Sequence, residues 1–242
     1  MKQEFNRTAM LFGEEAVELL NTKRVAVFGL GGVGGYVVEA LARSGIGSLD
    51  LIDNDVVSVS NRNRQIIALE DTVGRKKTDV MKERVEKINP DCRVTCYDCF
   101  YLPEAAEQFP FHLYDYVVDA VDTVTAKLDL IVRAKKEKVP VISCMGTGNK
   151  VDPSKLQIAD ISGTSVCPLA RVMRRELRNR GIEHCTVVYS TEKPVCPIQM
   201  EEQESGKRSV PGSTAFVPAA AGLLMASKVV RDFVGCREKG EQ

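Results

Sequence analysis

Hydrophobic positions switch between two periods along this chain. Residues 24–29 form a short apolar run, RVAVFG, that ends in glycine, as a buried strand does before a turn. Residues 31–43 then place Val33, Val37, Val38, Leu41 and Ala42 at helical intervals, which predicts a helix. A second apolar run, 48–52, ends at Asp53. Strand, turn, helix and strand within about 30 residues is the βαβ unit of a parallel sheet. The alternation continues with a helix over 72–88, which stops ahead of Pro90 as helices do before proline. Strands are predicted at 92–97 and 114–118, a helix at 125–138, and a strand at 139–144. The predicted fold class is α/β: a Rossmann-like, mostly parallel sheet with helices on both faces.

Beyond Gly146 the pattern loosens into a mixed C-terminal part. Strands are predicted at 156–161 and 186–190, a helix at 168–180, and a closing helix at 218–234. Between them, 193–212 is a polar loop with an acidic cluster at Glu201, Glu202 and Glu204, read as a solvated loop. No repeat or linker interrupts the chain. A single domain over 1–242 is expected, with 24–146 as the nucleotide-binding core and 147–242 completing the substrate side.

Composition narrows the classes. Apolar residues make up 44% and charged residues 27%, which excludes disordered, collagenous and coiled-coil chains. Lys plus Arg and Asp plus Glu are equal at 33 each, so a globally basic nucleic-acid binder is excluded while a local basic face is not. Trp is absent and aromatics are 6%, which argues against a base-stacking platform. The first six residues carry Lys2 and Glu4 and no apolar core, so no secretory signal is read there. The apolar stretch 215–227 is broken by Pro218 and followed by Lys228, and reads as a buried helix rather than a membrane span. The expectation is a cytoplasmic protein with no membrane partner, its cysteines reduced.

The strongest local signal is Gly29-Leu30-Gly31-Gly32-Val33-Gly34-Gly35, between a strand and a helix. Glycines let backbone approach phosphate oxygens, and a helix N-terminus offers free amides and a positive dipole end. Asp53 follows Gly31 by 22 residues at the end of the second strand, the place of an acid that accepts ribose hydroxyls.

The residues after Asp53 separate ATP from NAD. Asn61, Arg64 and Gln65 lie in NRNRQ just after the second strand, and Lys77 ends Gly74-Arg75-Lys76-Lys77. Several cations beside a phosphate chain suit triphosphate cleavage, which moves charge onto the leaving phosphates. Asp119-Ala120-Val121-Asp122 ends a parallel strand, where an acid can hold Mg²⁺ against phosphate. Singly, Arg64 and Lys77 would pass for surface charges and Asp122 for a helix cap. Together, in this order, they read as a site. Arg62 and Asn63 are read as tolerant positions.

Gly29-x-Gly31-Gly32-x-Gly34, Asp53-x-Asp55, Asn61-x-x-Arg64-Gln65, Gly74-x-x-Lys77 and Asp119-x-x-Asp122 together resemble the ThiF/MoeB/ubiquitin-activating enzymes, over residues 24–146. The resemblance implies adenylation of a carboxylate with ATP and Mg²⁺. It implies ATP binding by the glycines, Asp53, Asp55, Asn61, Arg64, Gln65 and Lys77, and a metal on Asp122. Arg7, in Phe5-Asn6-Arg7, matches an arginine that reaches the partner subunit's ATP site, which implies a homodimer. Arg7, Arg64, Lys77 and Asp122 are the implied catalytic set.

Within the family, three stretches resemble the tRNA threonylcarbamoyladenosine dehydratases: NRTAMLFG at 6–13, PLARVMR at 168–174 and STEKP at 190–194. That branch loses water from a threonylcarbamoyl-modified adenosine of tRNA after ATP activates its carboxylate, and a sulfur-relay protein is a further candidate partner. Arg171, Arg174, Arg175 and Arg178 recur at helical spacing with a single acid, Glu176, between them, a local field suited to tRNA phosphates. The alternative is an enzyme activating the Gly-Gly tail of a sulfur-carrier protein. It fits less well, because only one Cys-x-x-Cys pair, Cys96 and Cys99, is present where a structural zinc needs two. Cys196 is the best candidate for a nucleophilic cysteine, but an intramolecular ring closure requires none.

Overall fold

The computed structural model describes residues 3–196, 198 and 211–235. The acidic cluster Glu201, Glu202 and Glu204 and most of the 193–212 loop lie outside the described residues. In chain order the elements are α1 (Asn6–Phe12), α2 (Glu14–Thr22), β1 (Arg24–Phe28), α3 (Gly34–Arg43), β2 (Ser48–Ile52), α4 (Lys77–Ile88), β3 (Arg93–Tyr97), β4 (Tyr116–Asp119), α5 (Val124–Lys136), β5 (Val141–Cys144), β6 (Leu156–Asp160), α6 (Pro168–Arg178), β7 (Thr186–Ser190) and α7 (Val217–Phe233).

The strands form one seven-stranded sheet in the order β3-β2-β1-β4-β5-β7-β6. All neighbours pair in parallel except β6, which runs antiparallel to β7. The α/β class with a mixed C-terminal extension is what the alternating pattern predicts. Val25 to Phe28 of β1 are fully buried, as expected of a central strand covered on both faces. Two apolar clusters cover the sheet. One gathers α3, α4 and α7, with Val37, Leu41, Met81 and Val229. The other gathers α5, α6 and the segment 101–114, with Leu130, Ile131, Met173 and Phe109.

Strand order reverses between β1 and β4, and such a switch point opens a crevice beyond the carboxyl ends of the strands. Packing is tight around it. Gly29 has φ of +89°, and a Cβ there would lie 2.7 Å from the Ala120 carbonyl oxygen. A Cβ on Gly34 would lie 1.7 Å from the Gly29 carbonyl oxygen. These two glycines allow the first strand, the turn and α3 to crowd against the end of β4.

Four helices differ from the sequence reading. The helix expected from residue 31 begins at Gly34, because 29–33 form the glycine-rich turn that leads into it. The helix expected from residue 72 begins at Lys77. Ahead of it, Glu70–Thr72 form a single 3₁₀ turn, and Gly74 (φ +85°) leads into a ribbon paired with 55–57. The helices α1 and α2 have no counterpart in the sequence reading. They are short, and α1 buries no residue, so its periodicity carries no core signal.

Candidate active site

A cavity of about 640 Å³ opens at the switch point. Its walls include Gly29, Gly31, Gly32, Asp53, Asp55, Asn61, Arg64, Gln65, Lys77 and Asp122. The sequence-predicted nucleotide residues are thus brought to one place, with two exceptions. Gly34 lies beneath the loop rather than on the wall. Arg7 is exposed on α1, away from this cavity in its own chain.

Asp53 organises the loop. Its Oδ2 accepts the Leu30 amide at 2.7 Å and its Oδ1 accepts the Asp55 amide at 2.8 Å. The carboxylate ties the end of β2 to the glycine turn while keeping lone-pair capacity for a ligand hydroxyl. Lys77 arrives through a short ribbon. The Val57 amide donates to the Arg75 carbonyl at 2.8 Å, the Gly74 amide to the Val57 carbonyl at 2.8 Å and the Lys77 amide to the Asp55 carbonyl at 3.0 Å. The Lys77 side chain, 5% exposed, then reaches Asp55 Oδ2 at 2.7 Å and Asp53 Oδ1 at 3.7 Å. Its ammonium is held between two acids at the cavity wall.

The turn after β2 carries the next three residues. The Asn61 Oδ1 accepts the Ser58 amide at 3.1 Å, and the Arg64 and Gln65 amides both donate back to the Asn61 carbonyl. The Arg64 guanidinium folds onto the Ser60 carbonyl at 3.0 Å and the Asn63 Oδ1 at 2.9 Å. Asn63, a tolerant position by sequence, also donates from Nδ2 to the Ser213 carbonyl at 3.1 Å. It fastens this turn to the segment leading into α7.

Two observations test the fit of Mg·ATP. Gln65 is buried in the wall, and its Oε1 has no hydrogen-bond partner among the described residues. Buried polar atoms are rarely left unpaired, and a polar ligand seated against this wall could supply the missing donor. The glycine turn is open where a Cβ on Gly31 would meet nothing nearer than the Gln65 amide nitrogen at 3.9 Å. Asp122, also on the wall, is exposed and accepts from the Thr123 hydroxyl at 3.3 Å. An exposed carboxylate beside a phosphate cradle suits Mg²⁺, which keeps several waters and takes one or two carboxylates. Asp119 does not serve this purpose: it is fully buried and bonded to Lys127 and Ser143.

Sequence reasoning missed several lining residues. Cys144 to Gly148, at the end of β5, face the cavity together with Tyr101, Leu169 and Ser213. A signal exists for 144–148, since ligands in such sheets gather at carboxyl ends of strands. Burial pushes the Cys144 thiol up to about 12, so it lines the site as a neutral group. Cys92 and Cys96 are raised to about 12 and about 11 by burial. Cys196 is exposed and is not among the lining residues.

The arginines of α6 divide. Arg171, Arg175 and Arg178 are exposed, while Arg174 is half-buried. Its guanidinium donates to the Thr164 carbonyl at 2.7 Å and the Thr164 hydroxyl at 2.6 Å. Arg175 pairs with Glu176 at 3.0 Å. Leu169, at the start of α6, lines the cavity, and none of the α6 arginines does.

The fold and this cavity define a carboxylate-activating, ATP-binding class. Residues 5–241 match the ThiF family, and the chain belongs to it. It is 43% identical over 243 residues to the tRNA threonylcarbamoyladenosine dehydratase of Bacillus subtilis (strain 168), covering 97% of this chain and 96% of that protein. The enzyme of the same description from Escherichia coli (strain K12) is 42% identical over 244 residues, covering 96% and 89%. In structure the chain is similar to E. coli TcdA crystallised with ATP, with a TM-score of 0.87, 38% identity, and coverage of 97% of this chain and 95% of that one. The match to the molybdopterin-synthase adenylyltransferase of Salmonella typhimurium covers 57% of this chain, at 36% identity over 141 residues. Among the described residues no helix is long and apolar enough to cross a membrane.

Proposed function

We propose that this chain is an ATP-dependent tRNA threonylcarbamoyladenosine dehydratase. The observation that carries the reading is the gathering of Asp53, Asn61, Arg64, Gln65, Lys77 and Asp122 around one cavity, in a chain whose relatives over nearly its full length bear that name. Those relatives favour it over the activation of a carrier protein's Gly-Gly tail.

The residues set the chemistry. A substrate carboxylate oxygen attacks the α-phosphorus of ATP, and pyrophosphate leaves. Arg64 and Lys77 neutralise charge on the phosphates as it grows, the role for which preorganised cations are effective. Mg²⁺ held by Asp122 would add a Lewis acid at the same oxygens. A nucleophilic atom of the same threonylcarbamoyl side chain then attacks the activated carbon, AMP departs, and the ring closes with net loss of one water. Because both reacting groups belong to one side chain, proximity supplies much of the acceleration, and no cysteine nucleophile is used.

The remaining assignments belong to the same reading. Residues 24–146 hold the nucleotide, and 147–242 complete the substrate side of a single domain. Helix α1 leaves Met10 82% and Leu11 80% exposed on the same short helix as Arg7, a face suited to a second copy of this chain. In that homodimer Arg7 would supply the partner's site with a further cation. Arg171, Arg175 and Arg178 would hold the tRNA backbone, the protein would work in the cytoplasm, and a sulfur-relay protein is a further candidate partner.

The test is mass spectrometry of nucleosides after incubation with Mg·ATP and tRNA carrying the threonylcarbamoyl group. Loss of one water from that nucleoside, only with ATP, is the expected result. An unchanged nucleoside, with ATP bound in a separate assay, would keep the nucleotide site and move the substrate elsewhere.

A further inference from the structure

The carboxylate of Asp122 hangs from a turn whose shape is set from inside the sheet. Asp119, the last residue of β4, and Lys127, on α5, are both fully buried. The Lys127 ammonium lies 3.1 Å from each Asp119 oxygen and donates to the Val121 carbonyl at 3.0 Å. The Val121 amide in turn donates to Asp119 Oδ1 at 3.2 Å. Ser143, on β5, donates its hydroxyl to Asp119 Oδ2 at 2.5 Å.

Stability alone gives little reason for this arrangement. A buried ion pair costs so much desolvation that apolar residues of similar volume often serve as well or better. Apolar residues could not, however, hold both the N–H and the C=O of Val121, the residue before Asp122. With that residue's amide and carbonyl fixed, the planar peptide also fixes the Asp122 nitrogen and Cα from which the carboxylate hangs. The turn also abuts the phosphate loop, where a Cβ on Gly29 would lie 2.7 Å from the Ala120 carbonyl oxygen. A shift of the turn towards the loop would end in collision.

We propose that Lys127 is a positioning residue: its buried ammonium locks the backbone at Val121 and thereby sets where Asp122 presents its carboxylate to the divalent cation that accompanies ATP. The proposal rests on the reading of Asp122 as the metal-holding acid. Hydrogen-bonded support of a metal ligand typically carries 10- to 100-fold in metal affinity, and the effect here is expected at the lower end, about tenfold.

The test compares Lys127→Met with the double variant Lys127→Met, Asp119→Asn, which removes both charges and leaves no buried acid unpaired. Circular dichroism and thermal melting establish which of the two folds, and a folded variant is carried forward. Affinity for a fluorescent ATP analogue is measured with and without Mg²⁺, and Mn²⁺ binding to the ATP complex is followed by electron paramagnetic resonance. The expected result is unchanged metal-free nucleotide affinity, a roughly tenfold smaller gain from Mg²⁺, weaker Mn²⁺ binding to match, and turnover restored at raised Mg²⁺. A purely structural role would lower the melting midpoint without moving the metal dependence. Asp122→Ala separates the two readings. If it keeps the Mg²⁺ gain, the assignment of Asp122 is wrong. If it loses the gain while a folded Lys127 variant keeps it, the positioning role of Lys127 is wrong. Failure of both Lys127 variants to fold would also overturn that role in favour of a structural one.

Discussion

The ammonium of Lys77 stands 2.7 Å from the Asp55 carboxylate and 3.7 Å from that of Asp53, at the wall where the glycine turn and the end of β2 meet. In the ligand-free chain it neutralises two acids at the place where a triphosphate would bring more negative charge. Lys77→Ala removes the cation and leaves both acids facing the phosphates. Turnover is expected to fall by at least ~10²–10³-fold, as on loss of one preorganised charge-stabilising donor. Affinity for tRNA is expected to stay near that of the native chain. Single-turnover kinetics with modified tRNA, beside a filter-binding assay, checks both. Full activity would place the triphosphate away from Lys77.

Three glycines in different packing environments are expected to respond to alanine in graded fashion. A Cβ on Gly34 would sit 1.7 Å from the Gly29 carbonyl oxygen, and one on Gly222 would sit 2.4 Å from the Val33 carbonyl oxygen, where α7 crosses α3. Backbone cannot yield as a flexible side-chain tip can, and overpacking of this kind costs about 1–3 kcal/mol or more. Gly34→Ala and Gly222→Ala should each lower the thermal midpoint and weaken ATP binding. Gly163→Ala, which meets nothing within 4 Å, should stay within about 0.5 kcal/mol of the native chain. Equal melting of all three variants would contradict the packing geometry.

These glycines show where the sequence is readable and where it is not. Gly29, Gly31, Gly32 and Gly34 stand out because their spacing falls between a strand and a helix, and Asp53 because it ends the next strand. Local order along the chain carries that information. Gly222 does not stand out, since its role depends on α7 returning to α3 across nearly the whole length of the chain. Asn63 escapes for the same reason, since it bonds distant Ser213; Lys127 escapes because periodicity does not imply its pairing with Asp119 at the end of the preceding strand. A lone lysine among Ala126, Leu128, Leu130 and Ile131 is the local hint for Lys127, because a charge on a buried stripe needs a buried partner. For α6, helical spacing identifies the arginines but cannot tell which of them turn inward. Arg174 does so because Thr164 and the end of a short 3₁₀ turn lie beneath it.

That division of α6 is measurable. Arg174→Ala would remove a charged donor from the Thr164 carbonyl and hydroxyl, and a buried acceptor left without its donor costs about 1–3 kcal/mol. The expected result is a lower melting midpoint with tRNA affinity per folded molecule little changed. Replacing Arg171, Arg175 and Arg178 together by Ala should leave the melting midpoint close to native. It should weaken tRNA binding and flatten its salt dependence, by roughly 0.7–0.9 in log–log slope for each phosphate no longer neutralised. Binding isotherms across a salt series decide the matter, and an unchanged slope in the triple variant would remove α6 from the tRNA path.

Glu39, on α3, accepts from Arg43 at 2.8 Å and from Arg84 of α4 at 2.6 Å and 3.1 Å. Burial alone would raise this carboxyl, but the hydrogen bonds from Arg84 and Arg43 outweigh it and hold it below its ordinary 4.5. A group whose folded value is lowered binds its proton more weakly in the folded than in the unfolded chain. Its contribution to stability is therefore fully present above the unfolded value and fades as pH falls through the folded one. The difference in melting midpoint between the native chain and Glu39→Gln should be constant from about pH 7 down to about pH 5 and shrink below pH 4.5. Melting curves across that range check the sign. A difference that persists unchanged at about pH 3, below the ordinary carboxylate range, would mean that Glu39 joins α3 to α4 by packing and neutral hydrogen bonds, with no part played by its charge.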